Sequence, residues 1–390
     1  MELYNKRLIA SDKTQTMSPF EFPLGIAQTP YFCNRVTETE TLLNNIHSHT
    51  HTILISPRRY GKTSLAYHAM KKSGLAFTKI DLYMTTDAQA VETVILQGIN
   101  TLIAQVSGVT DKILSTLKRY LHSLKPTLKA DSAGFTLELE STGAPATETI
   151  AEALSILEQI LKSKKQHAVL LLDEFQELEC IAKNQGIEGA IRHVAQEAQH
   201  FSLIFSGSQR HLLKSMFNDR NKPLYRLCDE ILLERIAEQD YVAFINRFAK
   251  KKWQQPMPTE CITTLLTKTE CHPYYTNALL KRVFDEALLP TERNIEKHWQ
   301  NLVDKKRSDL LAETHALNLT QKKLLVAIAH GVTHALTSQA FLSRAKLSGA
   351  SASRALQHLV SENFIEQDTQ GHYSLIDPLL KDLIRQSTTL

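Results

Sequence analysis

The sequence predicts an α/β fold: a parallel sheet with helices on both faces, followed by a helical lid and a small unit of three helices and a hairpin. Three observations predict it. Short β-rich apolar runs (HTILIS, AFTKIDLY, AVLLLDE, FSLIFSGS) alternate with helical stretches as far as residue 208. From 240 to 299 strand signals vanish and amphipathic helices take over. From 319 onward three helical segments precede FIEQDTQGHYSLI, which reads as a hairpin turning at Gln370-Gly371. At 390 residues the chain is too long for one ordinary core, so several domains are expected.

Residues 1–30, polar with several prolines, read as an extended arm or cover. A helix is expected over 37–46, with Thr37 and Glu40 as a capping box. HTILIS follows as a buried strand and leads through PRRYG into the helix KTSLAYHAMKKS, which stops at Gly74. AFTKIDLY then completes a βαβ unit, the signature of parallel strands. Residues 88–124 have helical periodicity, and LKPTLKADSAGFTLELEST reads as two short strands around a turn. A helix over 146–166, the strand AVLLLDE, a helix over 187–199 and the strand FSLIFSGS complete the sheet. The domains expected are an arm (1–30), an α/β domain (31–238, with an insertion at about 107–150), a lid (239–315) and a winged helix-turn-helix (316–390).

Composition narrows the class. A hydrophobic fraction of 43% with 22% charged residues is that of a globular chain. No apolar run approaches the roughly 18 residues of a membrane span, and MELYNKRLIASDKTQTMSPFEF lacks a secretory leader, so a cytoplasmic protein is expected. The five cysteines are scattered and never spaced CxxC, which points to reduced thiols. A net charge of +4 permits contact with nucleic acid without arguing for it. HSHTH, residues 47–51, reads as a polar turn before a strand more simply than as a metal chelator.

The chemistry sits at strand ends. Ser56-Pro57-Arg58-Arg59-Tyr60-Gly61-Lys62-Thr63 fits G-x-x-x-x-G-K-[ST] at every defined position except the first. Gly61 lets the backbone curl close to a phosphate, and amides running into the new helix through Ser64 point at the anion. Lys62 is expected on the β and γ phosphates and Thr63 on Mg²⁺, so the cofactors implied are ATP or ADP and magnesium. Serine in place of the first glycine is a steric compromise rather than a lost ligand. AVLLLDEF then delivers Asp173 and Glu174 at the end of a buried strand, a Walker B arrangement. Asp173 is expected to hold the metal through water, and Glu174 to polarise the attacking water. Ser206, Ser208 and Gln209 end the next strand, with Ser208 and Gln209 as candidates for sensing the γ phosphate. Arg226, in KPLYRL, is a candidate arginine finger in cis or from a neighbouring subunit, with a surface salt bridge as the bland alternative.

With these residues in view, the chain resembles the archaeal-type ATPases within the STAND/AAA-related P-loop NTPases. YFCNRVTETETLL looks like the family's opening F-x-x-R-x-x-E, ISPRRYGKTSL its phosphate loop with paired arginines, and LLLDEFQEL its Walker B. LIFSGSQRHLLKSMFNDRNKPLYRL resembles the sensor strand and P-L-Y-x-R turn, and CHPYYTNAL the G-x-P-x-Y helix start of the lid. The resemblance implies an AAA-like fold, a place for Arg35 near the adenine, and Pro273 near the nucleotide. Three glycines of the pattern are replaced, by Ser56, Asn34 and Cys271. It also implies a molecular switch that acts on partners rather than on small substrates.

Which partner is open at this level. The third helix of the last unit carries Ser348, Ser351, Ser353, Arg354 and His358, a face suited to a major groove. That segment is only slightly basic, and a winged helix also serves as a protein-contact surface. The expectation is a magnesium-dependent ATPase switch, with DNA, a protein or a second copy of the chain as partner. A nucleotide-gated DNA-binding regulator or scaffold with little turnover is the alternative.

Overall fold

A computed structural model describes residues 22–106, 122–131, 134–181, 185–368 and 370–387. Its centre is a five-stranded parallel sheet in the order β2-β5-β6-β1-β7, built from β1 (Thr52–Ile55), β2 (Ala76–Asp81), β5 (Ala168–Asp173), β6 (Phe201–Gly207) and β7 (Asp229–Leu232). The three inner strands are buried at every position, which is why they read as unbroken apolar runs. Helices Val36–His47 and Lys62–Ser73 cover one face through Leu42, Ile46, Leu65 and Met70. Helices Ala88–Val106, Ala146–Lys164 and Gln185–Ala195 cover the other through Ile95, Ile99, Leu157 and Ile191. An antiparallel pair, β3 (Leu124–Asp131) and β4 (Gly134–Ser141), packs on that second layer, and Asn100 exchanges two hydrogen bonds with the backbone of Leu139.

Four helices follow, Glu238–Trp253, Thr259–Thr269, Pro273–Asp285 and Glu292–His315. Then come Leu319–Ala329, Gln339–Ala345, Gly349–Ser361 and an antiparallel ribbon, β8 (Ile365–Gln367) with β9 (Tyr373–Leu375). One continuous core runs through both groups, and Phe22 is sunk into it among Phe244, Phe248 and Phe284. Trp299 donates to Asp382 at 2.7 Å, tying the long helix to the last one. Among the described residues no helix is long and apolar enough to cross a membrane.

Several local expectations change. The first helix starts at Val36, not at a Thr37–Glu40 box; its N-cap is Arg35 in the left-handed region (φ 67°), with Arg35 paired to Glu38. The helix expected over 88–124 ends at Val106 among the described residues, with 107–121 outside them and Leu124 already in β3. The helix expected over 187–199 is Gln185–Ala195. Sequence reading missed β7, because DEIL buries a single side chain at the sheet edge, and missed the closing helix Pro378–Ser387. Most of the arm expected at 1–30 lies outside the described residues.

Candidate functional site

The site forms where parallel strands release their chains at one edge of the sheet. After β1 the backbone turns through Arg59 (φ 65°) and Gly61 (φ 92°), and Gly61 caps the helix Lys62–Ser73. That conformation favours glycine at 61, and it leaves the first helical amides free of intrahelical partners, as an anion site requires. Ser56 does not take a positive φ, so the loop asks for no glycine there. It is fully buried, and its hydroxyl accepts from Lys62 Nζ at 3.3 Å. Lys62 also donates to the carbonyls of Ser56 (3.1 Å) and Pro57 (3.0 Å), folding its ammonium over its own loop. Burial pulls its pKa down to about 8.

Thr63, one residue into the helix, donates to Asp173 Oδ2 at 3.1 Å. The other Asp173 oxygen accepts from Ser206 at 2.5 Å, and Lys79 Nζ lies 2.9 Å from Oδ2. Burial alone would raise this carboxyl; the Ser206 hydroxyl, the Lys79 ammonium and Thr63 together hold it below its usual value. Glu174 takes φ 52°, a strained conformation for a non-glycine residue. Its Oε2 accepts from Gln176 Nε2 (2.7 Å), Ser208 N (3.1 Å) and Ser208 Oγ (3.0 Å). Gly207 is required by this arrangement, since a Cβ there would stand 1.8 Å from Gln176 Oε1.

These groups face a cavity of about 430 Å³. Its walls include Arg35, Arg58, Arg59, Tyr60, Gly61, Lys62, Thr63, Ser64, Glu174 and Ser208, with Pro273 and Tyr274 of the following helix and residues 23–27 closing it. Ala27 N donates to Ser64 Oγ and Asn277 to the carbonyl of Pro23, which fastens that strap. Ser56, Pro57 and Asp173 stand behind the lining, in contact with Lys62 and Thr63. Arg35 is a brace, donating to the carbonyls of Tyr60 (3.3 Å) and Glu234 (2.5 Å). Arg59 stacks on Tyr274, 4.4 Å from the ring centroid. His272 accepts from Tyr274 N and caps the helix that Pro273 opens.

Two expected residues stand elsewhere. Gln209 caps the helix Arg210–Asn218 without lining the cavity, whereas Ser208 lines it and bonds to Glu174. Arg226 is exposed, stacks on Tyr225 and does not line the cavity. Of the helix considered for DNA, Ser348 is a cap bonded to Ser351 N, while Ser353, Arg354 and His358 are exposed. Lys79, Gln176, Arg235 and Glu366 were not anticipated. The charges of Lys79 and Asp81, two apart inside the otherwise uncharged AFTKIDLY, were the available signal for Lys79.

The site can take a hard cation. A threonine hydroxyl beside a buried carboxylate oxygen is a donor set that suits Mg²⁺, which takes few protein oxygens and completes its shell with water and phosphate. Among the described residues no group of three or more His, Cys, Asp or Glu forms a metal cage.

The loop also touches the C-terminal ribbon. Tyr60 donates to Glu366 on β8 at 3.2 Å and accepts from Arg235 Nε at 3.2 Å. Arg235 further donates to Glu270 (2.6 Å) and to the carbonyl of Leu375 (3.0 Å), and Lys381 pairs with Glu270. Burial pushes the Tyr60 hydroxyl up to about 12, so it remains a donor.

A family model described as a probable winged helix domain matches residues 312–386. No curated protein matches the chain. Among solved structures, the Walker-type ATPase PABY2304 of Pyrococcus abyssi is 17% identical, with 93% of this chain and 99% of that one covered at a TM-score of 0.68. The ORC2 protein of Aeropyrum pernix in its ADPNP–ADP complexes is 15% identical, with 92% and 97% covered at 0.56. Its ADP form is 13% identical, with 91% and 93% covered at 0.52. At these identities the likeness speaks of the fold, and the resemblance read from the sequence holds at that level: the chain has a P-loop ATPase fold with a C-terminal winged helix.

Proposed function

We propose that this chain is a magnesium-dependent ATPase whose nucleotide state is coupled to the position of its winged helix. The observation that carries the reading is the convergence of Lys62, Thr63, Glu174 and Ser208 on one cavity, with Asp173 bonded to Thr63 behind them. The adenine nucleotides in the A. pernix ORC2 complexes support ATP or ADP as the ligand. In this reading the loop is a Walker A motif and Asp173-Glu174 a Walker B pair, within an AAA-like module of the STAND type. The chain divides at 31–238, 239–315 and 316–390.

Lys62 leaves the Ser56 and Pro57 carbonyls for the β and γ phosphates, and the amides at 61–64 hold the β phosphate. Thr63 and Asp173 hold the magnesium, which neutralises charge on the phosphate oxygens. Glu174, fixed by Ser208 and Gln176, accepts a proton from the attacking water. Coupling runs through Tyr60, which belongs to the loop and bonds to β8 of the winged helix.

Lys62→Ala is expected to weaken binding of an adenine nucleotide on the order of 50-fold, by loss of a charge-assisted contact. Glu174→Gln is expected to keep binding and lower turnover by roughly 10²- to 10³-fold. Equal binding by wild type and Lys62→Ala would sink the nucleotide reading, and unchanged turnover in Glu174→Gln would remove the assigned base. A second reading, nucleotide-gated binding of DNA or a protein with little turnover, is favoured by the absence of Gln209 and Arg226 from the lining. In the ATPase reading Arg226 would instead act on a neighbouring subunit. Hydrolysis measured across protein concentration, with and without duplex DNA, separates the two.

A further inference from the structure

Mg²⁺ is not the only cation with a claim on Asp173. Lys79 lies inside β2, which runs beside β5 with Asp81 opposite Asp173 and Lys79 opposite Leu171. Residues two apart on a strand share a face, so Lys79 and Asp81 point the same way. The Lys79 ammonium is 2.8 Å from Asp81 Oδ2 and 2.9 Å from Asp173 Oδ2, and it also lines the cavity. That Asp173 oxygen is the one that receives the Thr63 hydroxyl. The oxygen best placed to take a divalent ion therefore already carries a cation tethered to the chain. A carboxylate this deeply buried is costly without a counter-charge, and Lys79 supplies one. Two cations on one oxygen repel, so the ammonium weakens that oxygen's hold on a metal. Asp81, whose side chain is half exposed, gives the displaced ammonium another carboxylate without leaving the strand edge.

We propose that Lys79 is a positioning residue, a tethered counter-ion that competes with Mg²⁺ for Asp173 and yields by resting on Asp81. The proposal rests on the nucleotide reading of the cavity. It makes the metal requirement adjustable: the stronger Lys79's hold on Asp173, the more free Mg²⁺ is needed to complete the site.

The test is a free-Mg²⁺ titration, starting in chelator, of a fluorescent adenine nucleotide bound to the full chain. Lys79→Met is expected to move the magnesium midpoint roughly ten-fold lower, and Lys79→Arg to restore it toward wild type. Asp81→Asn removes the alternative partner and is expected to raise the midpoint several-fold. A merely structural ion pair would lower the melting temperature and leave the midpoint in place. A Lys79→Met midpoint within about two-fold of wild type, or above it, overturns the proposal. If Lys79→Met does not fold, an Asp81→Asn midpoint at or below wild type overturns it. If the wild type binds no nucleotide at any magnesium level, the function proposed above falls and this inference with it. If it binds while the midpoints stay together, only the role of Lys79 falls.

Discussion

Two polar networks meet near Tyr60, and they are assembled in opposite ways. The one around Asp173 takes Lys79, Asp173 and Ser206 from β2, β5 and β6, Glu174 and Ser208 from the residues just past β5 and β6, and Thr63 from the helix after β1. Parallel strands in the order found bring those ends together whatever the rest of the chain does. The one around Arg235 takes Tyr60 from the loop, Glu270 from the end of a lid helix, and Glu366, Leu375 and Lys381 from the C-terminal unit. It exists only while those three parts are docked. The difference separates a site, set by topology, from a latch, set by arrangement.

Breaking the latch gives the largest expected effect on stability. Arg235 is mostly enclosed, and its loss leaves Glu270 with Lys381 alone and Tyr60 without a donor. Arg235→Ala is expected to cost roughly 3 kcal/mol, as removal of one member of a buried ion pair does. Calorimetry would show the C-terminal unit melting earlier, and limited proteolysis would cut sooner near residue 316. A single transition at the wild-type temperature would show that the apolar core shared by lid and winged helix suffices without the latch. The complementary break is Gly207→Ala. The new methyl displaces Gln176, which positions Glu174, so turnover should fall about ten-fold with nucleotide affinity within a few-fold and the latch unaffected. Equal losses in affinity and turnover would mean that the whole strand end had shifted.

The same contrast explains what was legible in the sequence. The inner strands announce themselves because burial on both faces makes them apolar throughout, and the loop and Asp173-Glu174 are contiguous residues at their ends. Ser208 was within reach for the same reason, while Gln209, its neighbour, already belongs to the next helix cap. Arg235, Glu270 and Glu366 are charged residues in ordinary polar surroundings of the sequence, and nothing local marks them as partners. Edge strand β7 escaped because one buried side chain in four residues carries too little pattern. Of the three replaced glycines, Ser56 needs no positive φ, whereas Asn34 (φ 47°) and Cys271 (φ 55°) occupy the left-handed region. Asparagine tolerates that region better than other non-glycine residues, so only Cys271 is conspicuously costly.

A gentler probe of the site is pH. Lys62 has a folded pKa of about 8 against an ordinary value of 10.5, because burial disfavours its charge. Between those values the unfolded chain binds more protons, so folding stability of the nucleotide-free protein should rise with pH across that window. Phosphate needs the charged form, so nucleotide affinity should run the other way: level below about pH 8, then falling by up to ten-fold per unit. Lys62→Met should flatten both dependences. A wild-type affinity that is level up to pH 10 would mean that the ammonium keeps its proton on the loop carbonyls despite burial.

The smallest effect falls between the two networks. Cys271 follows Glu270, which also takes a positive φ (49°) and presents its carboxylate to Arg235. A left-handed non-glycine residue costs about 1 kcal/mol, and a half-buried thiol returns part of that by packing against the lid core. Cys271→Gly should therefore stabilise the chain by about 0.5 kcal/mol, a rise in melting temperature of one or two degrees at most. Made again in the Arg235→Ala background, the gain should be the same size if the strain belongs to the helix end itself. A gain that disappears there would place the strain in the latch, as the cost of aiming Glu270 at Arg235. A loss in both backgrounds would mean that thiol packing outweighs backbone conformation, and would explain directly why this chain carries cysteine at that position.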